Sequence, residues 1–276
     1  MAGPTIRRRQ LGIELRRLRE AAHISPQKAA ETVKCSRGRI SYIELGRNAL
    51  GYAELVMLVK LYQADDKLEE LEEMREEASK RGWWSTYGLS ERVAGYVGLE
   101  DDATSVRTAE VGSIPGLLQT ESYIRRLCKI DVRLSGKEID KHVAVRLQRQ
   151  ARLVGPNPLL LTAVVDEAAL VRCSRDRTVD DQLAHLIEVA QWPNVELRVL
   201  PFNLGLHVGQ AGSFSVLSFP DGLLPDAGYQ EYVVGGHVID NGVVVAELAT
   251  LFDELRRQAL GPTESLDMIA QLVKHP

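Results

Sequence analysis

Cysteine and long apolar runs are what this sequence has least of. Its three cysteines, Cys35, Cys128 and Cys173, lie far apart and show no C-x-x-C spacing. This predicts reduced thiols that serve packing, and it disfavours a disulfide framework or a zinc site. Every apolar run is shorter than the roughly 18 residues of a membrane span, and no segment of signal-peptide type follows the basic start. We therefore expect a cytoplasmic protein without membrane contact.

The sequence also lacks the motifs of an enzyme, since it shows no metal-ligand cluster, nucleophile elbow or phosphate-loop spacing. Asp166 and Glu167 follow an apolar run, a position where α/β proteins often place active sites. A following helix would instead use Asp166 as its N-cap and Glu167 in its first turn. We expect no enzymatic activity, cofactor or metal, although polar candidates occur at Asp166, Glu167, His207, Glu231, His237 and Asp240.

Charge is distributed unevenly along the chain. Residues 1–64 carry 12 Lys/Arg and 5 Asp/Glu, a net charge of +7, whereas the other residues carry 22 and 33, a net charge of −11. A basic first quarter on an acidic body is typical of a nucleic-acid-binding module joined to a domain of another kind.

Residues 7–64 show the pattern of a compact set of short helices. Leu11, Leu15 and Leu18 recur at helical spacing. Ser25-Pro26 predicts the start of a second helix that ends at Thr32, because serine caps helices and proline suits the first turn. Ser36 predicts the start of a third helix, with Ile40 and Ile43 inward, and Gly46 its end. A fourth amphipathic helix is predicted over Tyr52–Leu61.

The segment LGIELRRLREAAHISPQKAAETVKCSRGRISYIELGRN (Leu11 to Asn48) resembles the helix-turn-helix of phage repressors and Xre-like regulators. In that arrangement a tight turn fixes the second helix of the motif so that it enters the DNA major groove. The resemblance implies base-reading roles for Arg37, Gly38, Ser41 and Tyr42, with Arg39 at bases or phosphate. It implies phosphate contacts for Ser36, Gln27, Arg47 and Asn48, and a structural ion pair between Arg19 and Glu44.

Three residues depart from the family pattern. Pro26 replaces a glutamine that often binds phosphate, which moves that contact to Gln27. Lys34 stands where glycine is usual, and a left-handed conformation there costs on the order of 1 kcal/mol. Gly38 inside the third helix costs about as much relative to alanine, and would let the backbone approach DNA closely.

Two features that follow each permit two interpretations. Residues 65–81 predict an acidic helix with a stripe formed by Leu61, Leu68, Leu71, Met74 and Ala78, either a connector packed on one domain or a dimerising helix. The aromatic residues Trp83, Trp84, Tyr87 and Tyr96 either form a partner or ligand surface or belong to the core at a domain junction.

The remainder of the chain alternates between helical and strand patterns. Apolar or alternating runs predict strands at SVRTAEV, LLLTAVV, NVELRVLPF, GSFSVLSFP and GYQEYVVGG, and long helices close the chain. We therefore predict a helix-turn-helix domain over 1–64, which is mostly α and lambda-repressor-like, the connector helix over 65–81, and an α+β domain with a mixed or antiparallel sheet over 82–276.

The segments SIPGLLQTESYIRRL, VVDEAALVR and FDELRRQALGPTES resemble the C-terminal domain of actinobacterial Xre-family regulators of the WhiJ type, a domain of unassigned function. The resemblance implies a transcription regulator that binds double-stranded DNA as a homodimer. It also implies a second domain that senses a small acidic partner protein encoded nearby, or a small-molecule effector.

Two other hypotheses stay open at this point. The chain could be an antitoxin-like interaction protein that sequesters a small partner and autoregulates its own operon. It could also be a metabolic enzyme with a DNA-binding appendage, but no feature of residues 82–276 predicts a substrate.

Overall fold

The computed structural model describes residues 4–220, 224–232 and 235–274, which fold into two compact units. The first unit extends to Asp102, and the second is formed by Ala103–Phe219 and Asp226–Pro276. Within the described residues, no helix combines the length and apolar character that crossing a membrane requires.

The described residues of the first unit form six α-helices. They are α1 (Pro4–Ala21), α2 (Pro26–Thr32), α3 (Arg37–Glu44), α4 (Tyr52–Leu61), α5 (Leu68–Ser79) and α6 (Glu91–Asp102). The predicted starts of α2 and α3 are confirmed, because the side chains of Ser25 and Ser36 accept hydrogen bonds from the first turn of each helix. Gly46 follows α3 with φ of 68°, a left-handed conformation that glycine adopts without strain.

The core of the first unit lies between α1, α2, α3, α4 and α5. Leu11, Leu15 and Leu18 of α1 are buried as their spacing predicts. The stripe of residues 65–81 belongs to the same core, since Leu71 is buried in it and Leu68 and Met74 pack against it. This favours the connector interpretation over a dimerising helix. The prediction of one continuous helix from Asp65 was wrong, because a 3₁₀ turn at Asp65–Lys67 precedes α5.

The second unit is built on one six-stranded sheet. Its strands are β1 (Ser105–Glu110), β2 (Leu160–Asp166), β3 (Val195–Leu200), β4 (Phe214–Ser218), β5 (Ala227–Tyr232) and β6 (Gly235–Ile239), in the spatial order β3-β2-β1-β4-β5-β6. The pairs β1–β2 and β2–β3 are parallel, and the other three pairs are antiparallel. The predicted α+β class with a mixed sheet is confirmed.

Helices surround this sheet within the second unit. They are α7 (Glu121–Ile130), α8 (Gly136–Gln150), α9 (Glu167–Ser174), α10 (Asp181–Val189), α11 (Gly242–Gln258) and α12 (Pro262–Lys274). Phe252 and Leu255 of α11 are buried against Val164 and Val216 of the sheet. The single strand predicted over residues 228–236 was wrong: β5 ends at Tyr232 and β6 begins at Gly235, and residues 233–234 lie outside the described part of the chain.

Candidate nucleic-acid interface

The α3 helix has one buried and one exposed face. The hydroxyl oxygen of Ser36 accepts a hydrogen bond from the Arg39 backbone N–H at 3.2 Å, which fixes the start of the helix. Ile40 and Ile43, three residues apart, are both buried in the core of the first unit. Because residues three and four apart share one face of a helix, the residues between them point outward.

The residues for which the sequence predicts base reading lie on this outward face. Arg37, Gly38, Ser41 and Tyr42 are all exposed, and Tyr42 has 49% of its surface accessible. The Ser41 hydroxyl donates to the Arg37 carbonyl oxygen at 3.4 Å, a bond that a competing acceptor could replace. A DNA major groove is wide enough to admit an α-helix, so this exposed face of α3 could contact base edges.

Arg39 differs from these residues because its guanidinium already has partners. It forms a two-point ion pair with the carboxylate of Glu54 on α4, through Nη1 to Oε1 and through Nη2 to Oε2 at 3.1 Å. Its Nη2 also lies 3.4 Å from the carbonyl oxygen of Ala49. The Arg39 guanidinium holds the pKa of the Glu54 carboxyl below its ordinary value. Glu54 is a residue that the sequence analysis did not single out.

The four residues for which the sequence predicts phosphate contacts lie at the two ends of the motif. Ser36 is the exposed N-cap of α3, and Gln27 is exposed on α2 with its amide 3.3 Å from Glu31 Oε1. The backbone N–H groups of Arg47 and Asn48 both donate to the Tyr42 carbonyl oxygen, at 2.8 and 3.2 Å. These two bonds close the C-terminal end of α3 and place Arg47 and Asn48 beside it.

Arg19 and Glu44 join α1 to α3 through two parallel hydrogen bonds. Nε of Arg19 lies 2.6 Å from Oε1 of Glu44, and Nη2 lies 3.0 Å from Oε2. The remaining nitrogen, Nη1, donates to the Ile24 carbonyl oxygen at 3.0 Å. Hydrogen bonding to Glu44 raises the pKa of Arg19 above its ordinary value. The pair therefore connects the C-terminal end of α3 to α1 and to the turn that precedes α2.

Gly12 permits the close approach of α1 to α3. A Cβ atom at this position would lie 2.5 Å from the carbonyl oxygens of both Ile43 and Glu44, a distance that no real side chain tolerates. This role is not evident from the residue type, because a glycine in mid-helix indicates only a weak helix former. Its position seven residues before Arg19, on the α1 face towards α3, is the signal that was present.

The three departures from the family pattern have local solutions in the structure. Pro26 takes the first position of α2, where no backbone N–H is needed. Lys34 adopts φ of 53°, so the turn between α2 and α3 contains a left-handed residue with a side chain. A Cβ atom at Gly38 would meet only Ser36 Oγ at 3.9 Å, so none of the described residues explains why this position lacks a side chain.

The aromatic residues after α5 pack with one another inside the first unit. Trp83 contacts Trp84 and Tyr87 edge to face, with ring centroids 5.8 and 5.9 Å apart, and its Nε1 donates to Asp101 Oδ1 at 3.0 Å. Trp84 is only 8% exposed and therefore offers no open face to a partner. The Tyr96 hydroxyl donates to Glu100 Oε2 at 2.8 Å. These contacts favour the core interpretation.

Two polar candidates of the second unit, Asp166 and Glu167, hold backbone groups in place. The Asp166 carboxylate accepts from Ala168 N at 2.7 Å, which confirms the predicted N-cap, and Glu167 accepts from Phe202 N at 2.6 Å. Asp166 also lies 3.1 Å from His207 Nε2, and both side chains are largely buried. The ring of His237 lies 6.0 Å from that of Tyr232, on the adjacent strand. Among the described residues, no three His, Cys, Asp or Glu are grouped so that they could hold a metal ion.

Ionisable side chains form a cluster at the end of β1, and among them the sequence pointed only to Glu231. Burial raises the pKa of Glu110 to about 7, the negative charge of Glu231 adds to the rise, and a hydrogen bond from Ser213 opposes it. The positive charge of Arg146 on α8 lowers the pKa of the same carboxyl. The Nη1 atom of Arg146 donates to Gln119 Oε1 at 3.1 Å. A glutamate that ends an alternating strand pattern looks solvent-exposed in sequence, so nothing in the spacing indicated this burial.

Comparison with known families agrees with the two-unit architecture. A family model described as a helix-turn-helix domain matches residues 10–74, which run from α1 into α5. A second model, described as a domain of unknown function (DUF5753), matches residues 93–271. No curated protein and no solved structure was found to match the chain.

Proposed function

The chain belongs to the family described as domain of unknown function DUF5753, and from this membership and its helix-turn-helix domain we propose that it is a sequence-specific transcription regulator. The helix-turn-helix domain indicates DNA binding. The observation that carries the proposal is the exposed face of α3, with Arg37, Ser41 and Tyr42 outward above two buried isoleucines. To read a DNA groove, a short helix must be packed on the protein core through one face and exposed to solvent on the other.

In the proposed complex, α3 enters the major groove and Arg37 reads a guanine through its O6 and N7 atoms. Ser41 and Tyr42 contact neighbouring bases, while Gln27, Ser36, Arg47 and Asn48 contact phosphates and set the register. We propose a homodimer of the Xre type, in which two-fold symmetry matches half-sites about 10–10.5 base pairs apart or a multiple of that spacing.

Two substitutions test the reader role. Arg37→Ala should relax sequence preference by about 1–3 kcal/mol at one base pair, because a base contact is lost. Arg47→Ala should weaken binding to all sequences and lower the salt slope by about one unit. Neither should change the melting temperature much, since both side chains are exposed. A wild-type chain without sequence preference at physiological salt, measured by footprinting on genomic DNA, would refute the proposal.

For the second unit we propose a sensing role, in which a small acidic partner protein or a small-molecule effector shifts the DNA affinity of the first unit. Such coupling needs an effector that binds two states of the protein with different affinity. Exposed apolar side chains on α11, Val243 at 70% and Leu251 at 36%, support a protein contact on this unit. The same observation supports the antitoxin-like alternative, which a stoichiometric small protein that co-purifies with the chain would favour.

A further inference from the structure

The positive charge of Arg39 on α3 is neutralised by an ion pair with Glu54. The guanidinium of Arg39 bonds both carboxylate oxygens of Glu54, and its Nη2 also lies within reach of the Ala49 carbonyl oxygen. Two parallel charge-assisted bonds hold a guanidinium in a defined plane and direction. Both side chains retain partial exposure, so the pair lies at the surface and not in the core.

Glu54 is itself fixed by the backbone. Its Oε2 accepts a hydrogen bond from the Gly51 N–H at 2.9 Å, at the start of α4. A carboxylate at a helix N-terminus is stabilised by the partial positive charge of the helix dipole. The acceptor for Arg39 is therefore rigid, and α3 is tied to α4 through a side chain that α4 holds in place.

This arrangement has a consequence for DNA binding. Arginine contacts to phosphate raise the affinity for every sequence alike, because they act through charge and counterion release. A regulator that reads sequence gains selectivity when a cation beside its reading residues is withheld from the phosphates. Arg39 follows Arg37 by two residues in the first turn of α3, and the fixed carboxylate of Glu54 neutralises its charge.

We propose that Glu54 is a specificity-determining positioning residue of the DNA-binding surface, which holds Arg39 against α4 and keeps its guanidinium away from DNA phosphates. The proposal rests on the DNA-reading function proposed above. It assigns base reading on this part of α3 to Arg37 and removes Arg39 from the contacts that the sequence predicts.

The test is a double-mutant cycle in the full chain, with Glu54→Gln, Arg39→Gln and the double variant. Affinity for the operator and for a random duplex is measured between 50 and 200 mM salt. Glu54→Gln should tighten random-duplex binding about five- to tenfold at 0.1 M salt and steepen its salt slope by about 0.9, as one added phosphate contact does. The ratio of operator to random affinity should fall. Arg39→Gln alone should leave the slope unchanged, and in the Glu54→Gln background it should restore the wild-type slope.

A matched control removes a carboxylate without touching the pair. Glu73→Gln on the exposed side of α5 makes the same change in net charge, so a general effect of charge would steepen the slope in both variants and overturn the proposal. A lower slope for Arg39→Gln alone would also overturn it, because Arg39 would then contact phosphate in the wild-type protein. Circular dichroism of each variant checks that α3 remains folded. Absence of any operator preference in the wild-type chain would refute the DNA-reading function itself, a result separate from both.

Discussion

Arg19 and Glu44 form a buried, two-point ion pair between α1 and α3, with side chains only 7% and 9% exposed. Both oxygens of the carboxylate and all three guanidinium nitrogens have a partner within 3.0 Å. Removing either residue leaves the other charge buried without its counterion, which is far more costly than losing an exposed pair.

We expect Glu44→Ala to destabilise the first unit by about 3–5 kcal/mol, the cost of an unpaired buried charge. The measurement is urea unfolding followed by circular dichroism. Lys67 and Glu70, in the same unit but 40% and 55% exposed, provide the control, since Glu70→Ala should cost less than about 1 kcal/mol. Equal losses in the two variants would show that burial does not govern the strength of the Arg19–Glu44 pair.

The local parts of this fold could be predicted from the sequence because their causes are local. Ser25, Pro26 and Ser36 carry helix starts in their own chemistry, and the structure places α2 and α3 where these residues predict. The parallel order of β1, β2 and β3 could not be predicted, because strand patterns carry no information on neighbours.

The site was predicted in part for the same reason. Exposure of Ser41 and Tyr42 follows from their positions between Ile40 and Ile43 on one helix. The partner of Arg39 lies 15 residues away on another helix, and a charge in sequence gives no sign of which opposite charge it meets. Long-range pairing depends on the packed fold.

Ser36 is the N-cap of α3, and different substitutions can separate this role from the proposed phosphate contact. As the N-cap of α3 it should tolerate Ser36→Gly with a loss of only a few tenths of a kcal/mol, whereas Ser36→Ala should cost about 1 kcal/mol. If its hydroxyl also contacts a phosphate, both variants should weaken DNA binding equally. Thermal unfolding and operator affinity, measured on the same samples, distinguish the roles. DNA affinity that follows stability across the two variants would contradict the phosphate contact.

The buried carboxyl of Glu110 should make stability depend on pH. Its pKa in the folded chain is about 7, against roughly 4.3 in an unfolded chain. Between these values the native state holds a proton that the unfolded state has released, so stability falls as pH rises through this range. Glu110→Gln does not titrate and should remove up to about 3 kcal/mol of this loss between pH 4.5 and pH 8.

Urea unfolding of wild type and Glu110→Gln at several pH values measures the difference. Glu188→Gln, which removes an exposed carboxyl from the same unit, is the control and should keep the wild-type pH dependence. The same pH dependence in wild type and Glu110→Gln would show that Glu110 is ionised throughout and that its burial is offset by Arg146.

Replacing a glycine by alanine should change the stability of the first unit in opposite directions at Gly12 and Gly38. At Gly12 an added Cβ would lie 2.5 Å from two backbone carbonyl oxygens of α3, whereas at Gly38 it would meet only Ser36 Oγ at 3.9 Å. Gly12→Ala should therefore push α1 and α3 apart and lower the melting temperature strongly. Gly38→Ala should raise stability by about 1 kcal/mol, because alanine is the better helix former.

The second substitution also tests the DNA-binding face. No part of the described chain requires Gly38 to lack a side chain, so a close approach of DNA to the α3 backbone is the constraint that the proposed function supplies. Gly38→Ala should then combine a higher melting temperature with weaker operator binding, a pairing that a purely structural glycine cannot produce. Operator affinity that is unchanged in this more stable variant would mean that DNA does not approach α3 at this position.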